Sequence, residues 1–164
     1  MPNRWVPIEA GSLSELRYVL RKLRARTRAE RLLLAEAFAW LAIARAATLL
    51  MPFRHTVRAL RLNGGESTVP VAADGQRRAA QVGWAVGTAA GYTPWRSLCL
   101  AQAFAGTAML RRRHLPSTLY LGMAQGDTAP AGLAAHAWVR CGDEIVTGAE
   151  EQARFTAVGS FSSR

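Results

Sequence analysis

Two residues, Cys99 and His136, carry the chemistry this chain can do. Cys99 lies in Trp95-Arg96-Ser97-Leu98-Cys99-Leu100-Ala101-Gln102-Ala103-Phe104, which reads as a helix opening just after Pro94. With Ser97 as the capping residue, Cys99 falls in the first turn, where unpaired amides and the helix dipole favour an anion. The following residues, Ala101, Ala103, Ala105, Gly106 and Ala108, are small enough for other backbone to approach closely. Thiol proteases present their nucleophile at the head of such a helix. Alone, Cys99 reads first as a small buried hydrophobe, since free cysteine is among the most buried residue types.

His136 lies in Ala135-His136-Ala137-Trp138-Val139, among residues that favour strands. Cys141-Gly142-Asp143-Glu144 forms a turn into Ile145-Val146-Thr147, so His136 belongs on a strand of a hairpin. A lone histidine there is ordinarily a satisfied core residue. Paired with a cysteine at a helix start, it becomes a candidate general base, because imidazole titrates near neutrality and can draw the proton from a thiol. The order Cys then His suits a papain-like arrangement.

The elements that must hold this pair follow from the hydrophobic periodicity. Ser12-Leu13-Ser14-Glu15 resembles a capping box and opens a helix through Arg28, with Leu13, Leu16, Val19, Leu20 and Leu23 on one face. Arg17, Arg21, Arg24 and Arg28 make that helix basic. A break near Thr27 leads to a second helix from Arg31 to Leu50, which Pro52 ends. The run Leu32 to Phe53 approaches membrane-spanning length, but Glu36 and Arg45 interrupt it, so a soluble amphipathic helix is expected. Residues 63–76, rich in Gly and polar residues, mark a boundary. They divide the chain into an N-terminal helical region, 1–62, and a core, 63–164. A helix from Gln76 to Ala90 leads to the cysteine helix, which closes on Arg111-Arg112-Arg113-His114 and is stopped by Pro116. Strands are expected at 118–123, 133–140 and 144–147, with a loop at 126–130. The fold class is α+β, a buried helix against a small antiparallel sheet.

Composition narrows the possible activities. The 164 residues carry a net charge of +10, almost wholly from arginine, and half of them are apolar. Residues 1–61 hold twelve basic and four acidic side chains, so the excess is concentrated in the first helices. A basic face could bind nucleic acid or anionic lipid, although a solvated face is the commoner reason for it. No secretory signal is visible at Met1-Pro2-Asn3-Arg4-Trp5, which leads us to expect a cytoplasmic, reducing location with both thiols free and Cys141 structural. Two Cys and three His are too scattered for a zinc site, and there is no Gly-rich phosphate loop.

Three pieces together resemble the transglutaminase-like proteases that remove leader peptides in bacterial lasso-peptide biosynthesis. They are the Arg- and Leu-rich helices running into Leu50-Met51-Pro52-Phe53-Arg54, the stretch Trp95 to Arg113 around Cys99, and Ala135-His136-Ala137-Trp138-Val139. The resemblance implies a papain/transglutaminase-like cysteine peptidase with Cys99 as nucleophile and His136 as base, and no cofactor. It also implies as partners the precursor leader peptide, a small leader-recognition protein and an ATP-using macrolactam cyclase, with no nucleic acid. Arg140 stands where the family commonly has Glu. The family's third catalytic member, an Asp, falls near Gly148 here. A two-residue turn at Gly142-Asp143 pairs Cys141 with Glu144 and brings residues 147–150 beside His136. Glu150 is the nearest carboxylate for orienting the ring, Asp143 lies at the far end of the hairpin, and a backbone carbonyl or Thr147 could substitute. Two rival readings keep the same residues: a non-catalytic basic binding module, and an acyl-transferase whose thioester is intercepted by an amine instead of water.

Overall fold

A computed structural model describes residues 21–125 and 133–163 of the chain. The capping box expected at Ser12 and the loop expected at 126–130 lie outside the described residues. Residues 21–24 are helical, and the chain then breaks at Thr27, which caps helix α1 (Arg28–Leu50). The Thr27 hydroxyl accepts from the Glu30 amide at 3.2 Å, and the Glu30 carboxylate accepts from the Thr27 amide at 2.8 Å. This reciprocal pair starts the helix at Arg28, three residues ahead of the expected Arg31, because Glu30 is needed in the first turn. Pro52 forces Met51 into an extended conformation and ends α1. It then serves as the cap of a second, short helix, α2 (Phe53–Ala59). The Phe53 ring packs on Phe104 at 5.8 Å and edge-on to Phe161 at 5.4 Å, which fastens α2 to the rest of the molecule.

Helix α3 (Ala73–Ala90) starts three residues before the expected Gln76, and helix α4 (Cys99–Arg112) begins at the cysteine itself. α1 packs on both α3 and α4, and the last two pack on the sheet. Leu41 of α1, Val82 and Val86 of α3, and Met109 and Leu110 of α4 are fully buried in one apolar cluster that continues to Leu119, Val139 and Val146 of the sheet. Burial of each such side chain contributes roughly 1.5–3 kcal/mol. Small residues set the layer spacing. Gly83 lies directly against the Val146 carbonyl, where a Cβ has no room, and a Cβ on Gly106 would meet Thr147 Cγ2 at 3.1 Å.

The sheet has five antiparallel strands in the order β1-β5-β2-β3-β4: β1 (Asn63–Gly64), β2 (Ser117–Gln125), β3 (Leu133–Cys141), β4 (Glu144–Thr147) and β5 (Thr156–Ser163). A four-residue helix, α5 (Ala149–Gln152), separates β4 from β5. The three expected strands are present, and β1 and β5 are additions. β5 is half-exposed and Ser-rich, so neither alternation nor an apolar run marks it, and it is a strand because β2 supplies its hydrogen bonds. The architecture is α+β, as the pattern implied. Along β3, Ala137, Val139 and Cys141 face the helices within the core, while His136, Trp138 and Arg140 alternate to the other side.

Candidate active site

Ser97 does not cap the cysteine helix. The cap position is Leu98, whose side chain cannot accept a hydrogen bond, so no side chain takes up the first-turn amides. Cys99 is the first residue inside the helix. Ser97 is spent on the preceding turn instead. Its hydroxyl lies 2.9 Å from Thr93 Oγ1, which is also 3.0 Å from the Ala90 carbonyl and 2.9 Å from that of Trp95. From inside the helix, Gln102 Nε2 donates to the Ser97 carbonyl at 2.7 Å. The turn that aims Cys99 is thus tied on both sides, and Trp95 rests on Phe38 of α1 with ring centroids 5.5 Å apart.

Two contacts fix how α4 lies along the hairpin. Gly106 faces Thr147, which is the partner of Val139 on β3. Beyond the end of α4, Leu115 and Gly75 meet at Val71, and Val71 also faces Gly142 in the hairpin turn. The C-terminal end of α4 therefore points to the turn and its N-terminal end to the opposite end of β3. From Gly106 back to Cys99 is a rise of about 10 Å. From Val139 back to His136 is also about 10 Å. By these rises Cys99 and His136 reach the same end of the layer, away from the hairpin turn, but Cys99 heads the helix on one face of β3 and the His136 ring lies on the other face. The Cys99 thiol is half-buried and unbridged, and it makes no hydrogen bond to His136 in this structure.

The His136 ring is buried and held on three sides. Trp138 stacks at 6.0 Å, Phe155 packs at 5.0 Å, and the Gly148 carbonyl lies 3.0 Å from Nε2. A carbonyl only accepts, so Nε2 carries the proton and the neutral ring presents its lone pair at Nδ1. Gly148 has φ +78°, and a Cβ there would sit 2.8 Å from the Ala137 carbonyl and 2.9 Å from His136 Nε2. Only glycine admits both the left-handed backbone and the close approach. Of the orienting groups considered from sequence, the backbone carbonyl reaches the ring. Glu150 lies exposed on α5, with no hydrogen bond or ion pair, because the left-handed turn at Gly148 ends the strand before a side chain from 150 can come alongside. Thr147 is buried against Gly106, with its hydroxyl unpartnered. Asp143 sits at the hairpin turn, 3.3 Å from Gln76 Nε2.

The two-residue turn sets Cys141 opposite Glu144 and Arg140 opposite Ile145, as expected. A bulge after Val139 moves Thr147 opposite that residue and delivers Gly148 to the ring. The chance to foresee Gly148 lay in its type, a glycine just past a strand end. Phe155 carried no signal, since it precedes a strand that the pattern does not mark. Cys141 is fully buried among the core residues, and burial pushes its thiol up, opposed by nearby Arg78 and reinforced by Glu144. Arg140 donates to the Tyr120 hydroxyl at 3.0 and 2.8 Å and pairs with Glu66 at 3.0 Å, so it ties strands together away from His136. His114 follows the C-terminal end of α4, some 20 Å along the helix from Cys99. Among the described residues no group of His, Cys, Asp and Glu could hold a metal ion.

No curated protein and no solved structure matches this chain. A family model does, over residues 6–160, and its description is the transglutaminase-like superfamily. The match takes in the cysteine helix, the histidine strand and the helices that carry them, and it points to thiol peptidase or acyl-transfer chemistry. Covering most of its length, that match shows that the chain belongs to the transglutaminase-like superfamily.

Proposed function

We propose that this protein is a cysteine peptidase that removes the leader from a ribosomally made lasso-type precursor. It would act in the cytoplasm with a small leader-recognition protein and an ATP-using cyclase. The superfamily match supports thiol chemistry, and the finer reading rests on the resemblance of the helical N-terminal part and of the segments around Cys99 and His136. The observation that carries the mechanism is the hydrogen bond from His136 Nε2 to the Gly148 carbonyl. With Nε2 protonated, Nδ1 is the nitrogen that would take the Cys99 proton, once the ring swings round the end of β3 to meet the thiol. The thiolate adds to the scissile carbonyl, and the free amides at the start of α4 face the developing oxyanion. His136 returns its proton to the leaving amine as the peptide C–N bond breaks, leaving a thioester on Cys99. Water, deprotonated by the same ring, then releases the acid and restores the thiol.

The test uses the full chain, the precursor encoded beside it and the cognate recognition protein, with leader loss read by mass spectrometry. Cys99→Ala should lower cleavage at least about 10³-fold. His136→Ala should lower it about 10²–10⁴-fold. Cys141→Ser should leave it within a few-fold of the parent. Equal cleavage by Cys99→Ala and the parent would end the peptidase reading.

A further inference from the structure

Helix α1 is apolar on two opposite faces. The inner face, Ala37, Leu41, Ala44 and Ala47, is buried against α3 and α4. On the opposite face lie Leu32, Ala35, Ala39, Ala42, Ala46 and Leu49, a 3-4-3-4-3 spacing that matches the seam of a coiled coil. Leu32 is 72% exposed and Leu49 65%, and beside the seam Ile43 and Leu50 are 54% and 82% exposed. A helix apolar all round is ordinarily covered on every side. By length and composition α1 could cross a membrane, with a mean hydropathy of 1.6 over its most apolar window. Its inner face is committed to the core, however, and Glu36 is held by Arg113 at 2.6 Å, so crossing would dismantle the molecule.

Charge says what kind of surface belongs on the seam. Both carboxylates of α1 are already paired, Glu30 with Arg26 and Glu36 with Arg112 and Arg113. Arg28 and Arg31 at one end and Arg45 toward the other have no ion pair. No acidic residue occurs between Glu36 and Glu66, and exposed Arg54 and Arg58 extend the positive border onto α2. A second copy would bring arginines against arginines. The chain's own amphipathic stretch would do the same with Arg17, Arg21 and Arg24. A bilayer gains little from a seam whose centre is alanine, whereas a single helix can seat large side chains over Ala39, Ala42 and Ala46.

We propose that the outer seam of α1 docks one acidic amphipathic helix of a partner polypeptide, with its apolar heptads on Leu32 to Leu49 and its carboxylates beside Arg31 and Arg45. The contact would run about 27 Å, the length of the seam. This inference is independent of the leader-peptidase reading.

The experiment measures binding of two fluorescent synthetic helices, each about 21 residues with leucine heptads, to the full-length protein by anisotropy. One has Glu on its flanks and the other Lys. The Glu helix should bind saturably and at least about tenfold tighter than the Lys helix, with the difference shrinking at high salt. Leu32→Asp combined with Leu49→Asp should weaken it about tenfold or more, with unchanged circular dichroism and Tm because both positions are exposed. Arg31→Glu with Arg45→Glu should reverse the preference. Equal binding of the two helices, or no saturable binding, would overturn the proposal. So would a parent dimer that Leu49→Asp dissociates, which would assign the seam to a second copy. Flotation with phosphatidylglycerol–phosphatidylcholine vesicles, lost in the same variant, would assign it to a lipid surface.

Discussion

At the scale of single residues, the proposed mechanism gives the Gly148 carbonyl the orienting work that a carboxylate does in other thiol enzymes. A carboxylate beside the ring both fixes the tautomer and stabilises the imidazolium. The Gly148 carbonyl fixes the tautomer equally well, but as a dipole it offers the cation less. Gly148→Ala should therefore remove most activity, because the new Cβ meets Ala137 O, Trp138 Cβ and His136 Nε2 within 2.9 Å. The left-handed backbone adds roughly 1–2 kcal/mol of destabilisation. Histidine nitrogen NMR separates the two effects, since the ring should lose its fixed Nε2–H tautomer in whatever fraction stays folded. Glu150→Gln should leave the cleavage rate and the pH profile unchanged. A drop of tenfold or more would show that the carboxylate reaches the ring during turnover. The two thiols differ in the same local way. Iodoacetamide should label half-buried Cys99 readily in the native protein and Cys141 only after unfolding, because burial raises the Cys141 thiol and closes access to it.

At the scale of elements, the cysteine helix α4 is held at its far end by charge. Arg113 follows the last turn of α4 and donates to both carboxylate oxygens of Glu36 on α1, at 3.1 and 2.6 Å. Its hydrogen bond to Arg113 holds the Glu36 carboxyl below its ordinary value of 4.5, assisted by the charges of Arg113 and Arg112. A group with a lowered folded pKa adds stability above its unfolded pKa and loses it as the pH falls through the folded value. Glu36→Gln should thus cost about 1–2 kcal/mol at pH 7, allowing for partial exposure. The cost should fade as the pH falls below 4.5 and through the lowered folded value, as read by urea unfolding across pH. Contact between α3 and β4 depends on a missing side chain instead. Gly83→Ala has no room at the Val146 carbonyl, so it should lower Tm by more than the usual surface substitution and shift β4, and with it Gly148.

At the scale of the whole molecule, helices, sheet and site form one connected core, so what brings Cys99 and His136 to the same end of the layer is the packing of α4 along β3. Much of this was legible in the chain. Proline positions marked the breaks at Pro52 and Pro116, Thr27 marked another as a capping residue, helical spacing gave the three long helices, and the Gly142-Asp143 turn fixed Cys141 opposite Glu144. Those signals are local, since they arise from backbone sterics and from one face of each element meeting the core. The cysteine and histidine were legible for the same reason: each sits at a position its own element defines, a helix start and a strand interior. What only the tertiary structure decided involves partners distant in the chain. Thr93 claims Ser97 and so leaves Leu98 as the cap. β2 makes a strand of Ser-rich Thr156–Ser163, which has no pattern of its own. The bulge after Val139 puts a carbonyl, not a carboxylate, on the ring. A backbone group is the same at every position, so its type cannot announce its role. Only the register and the left-handed turn at Gly148 bring that one carbonyl to His136 Nε2.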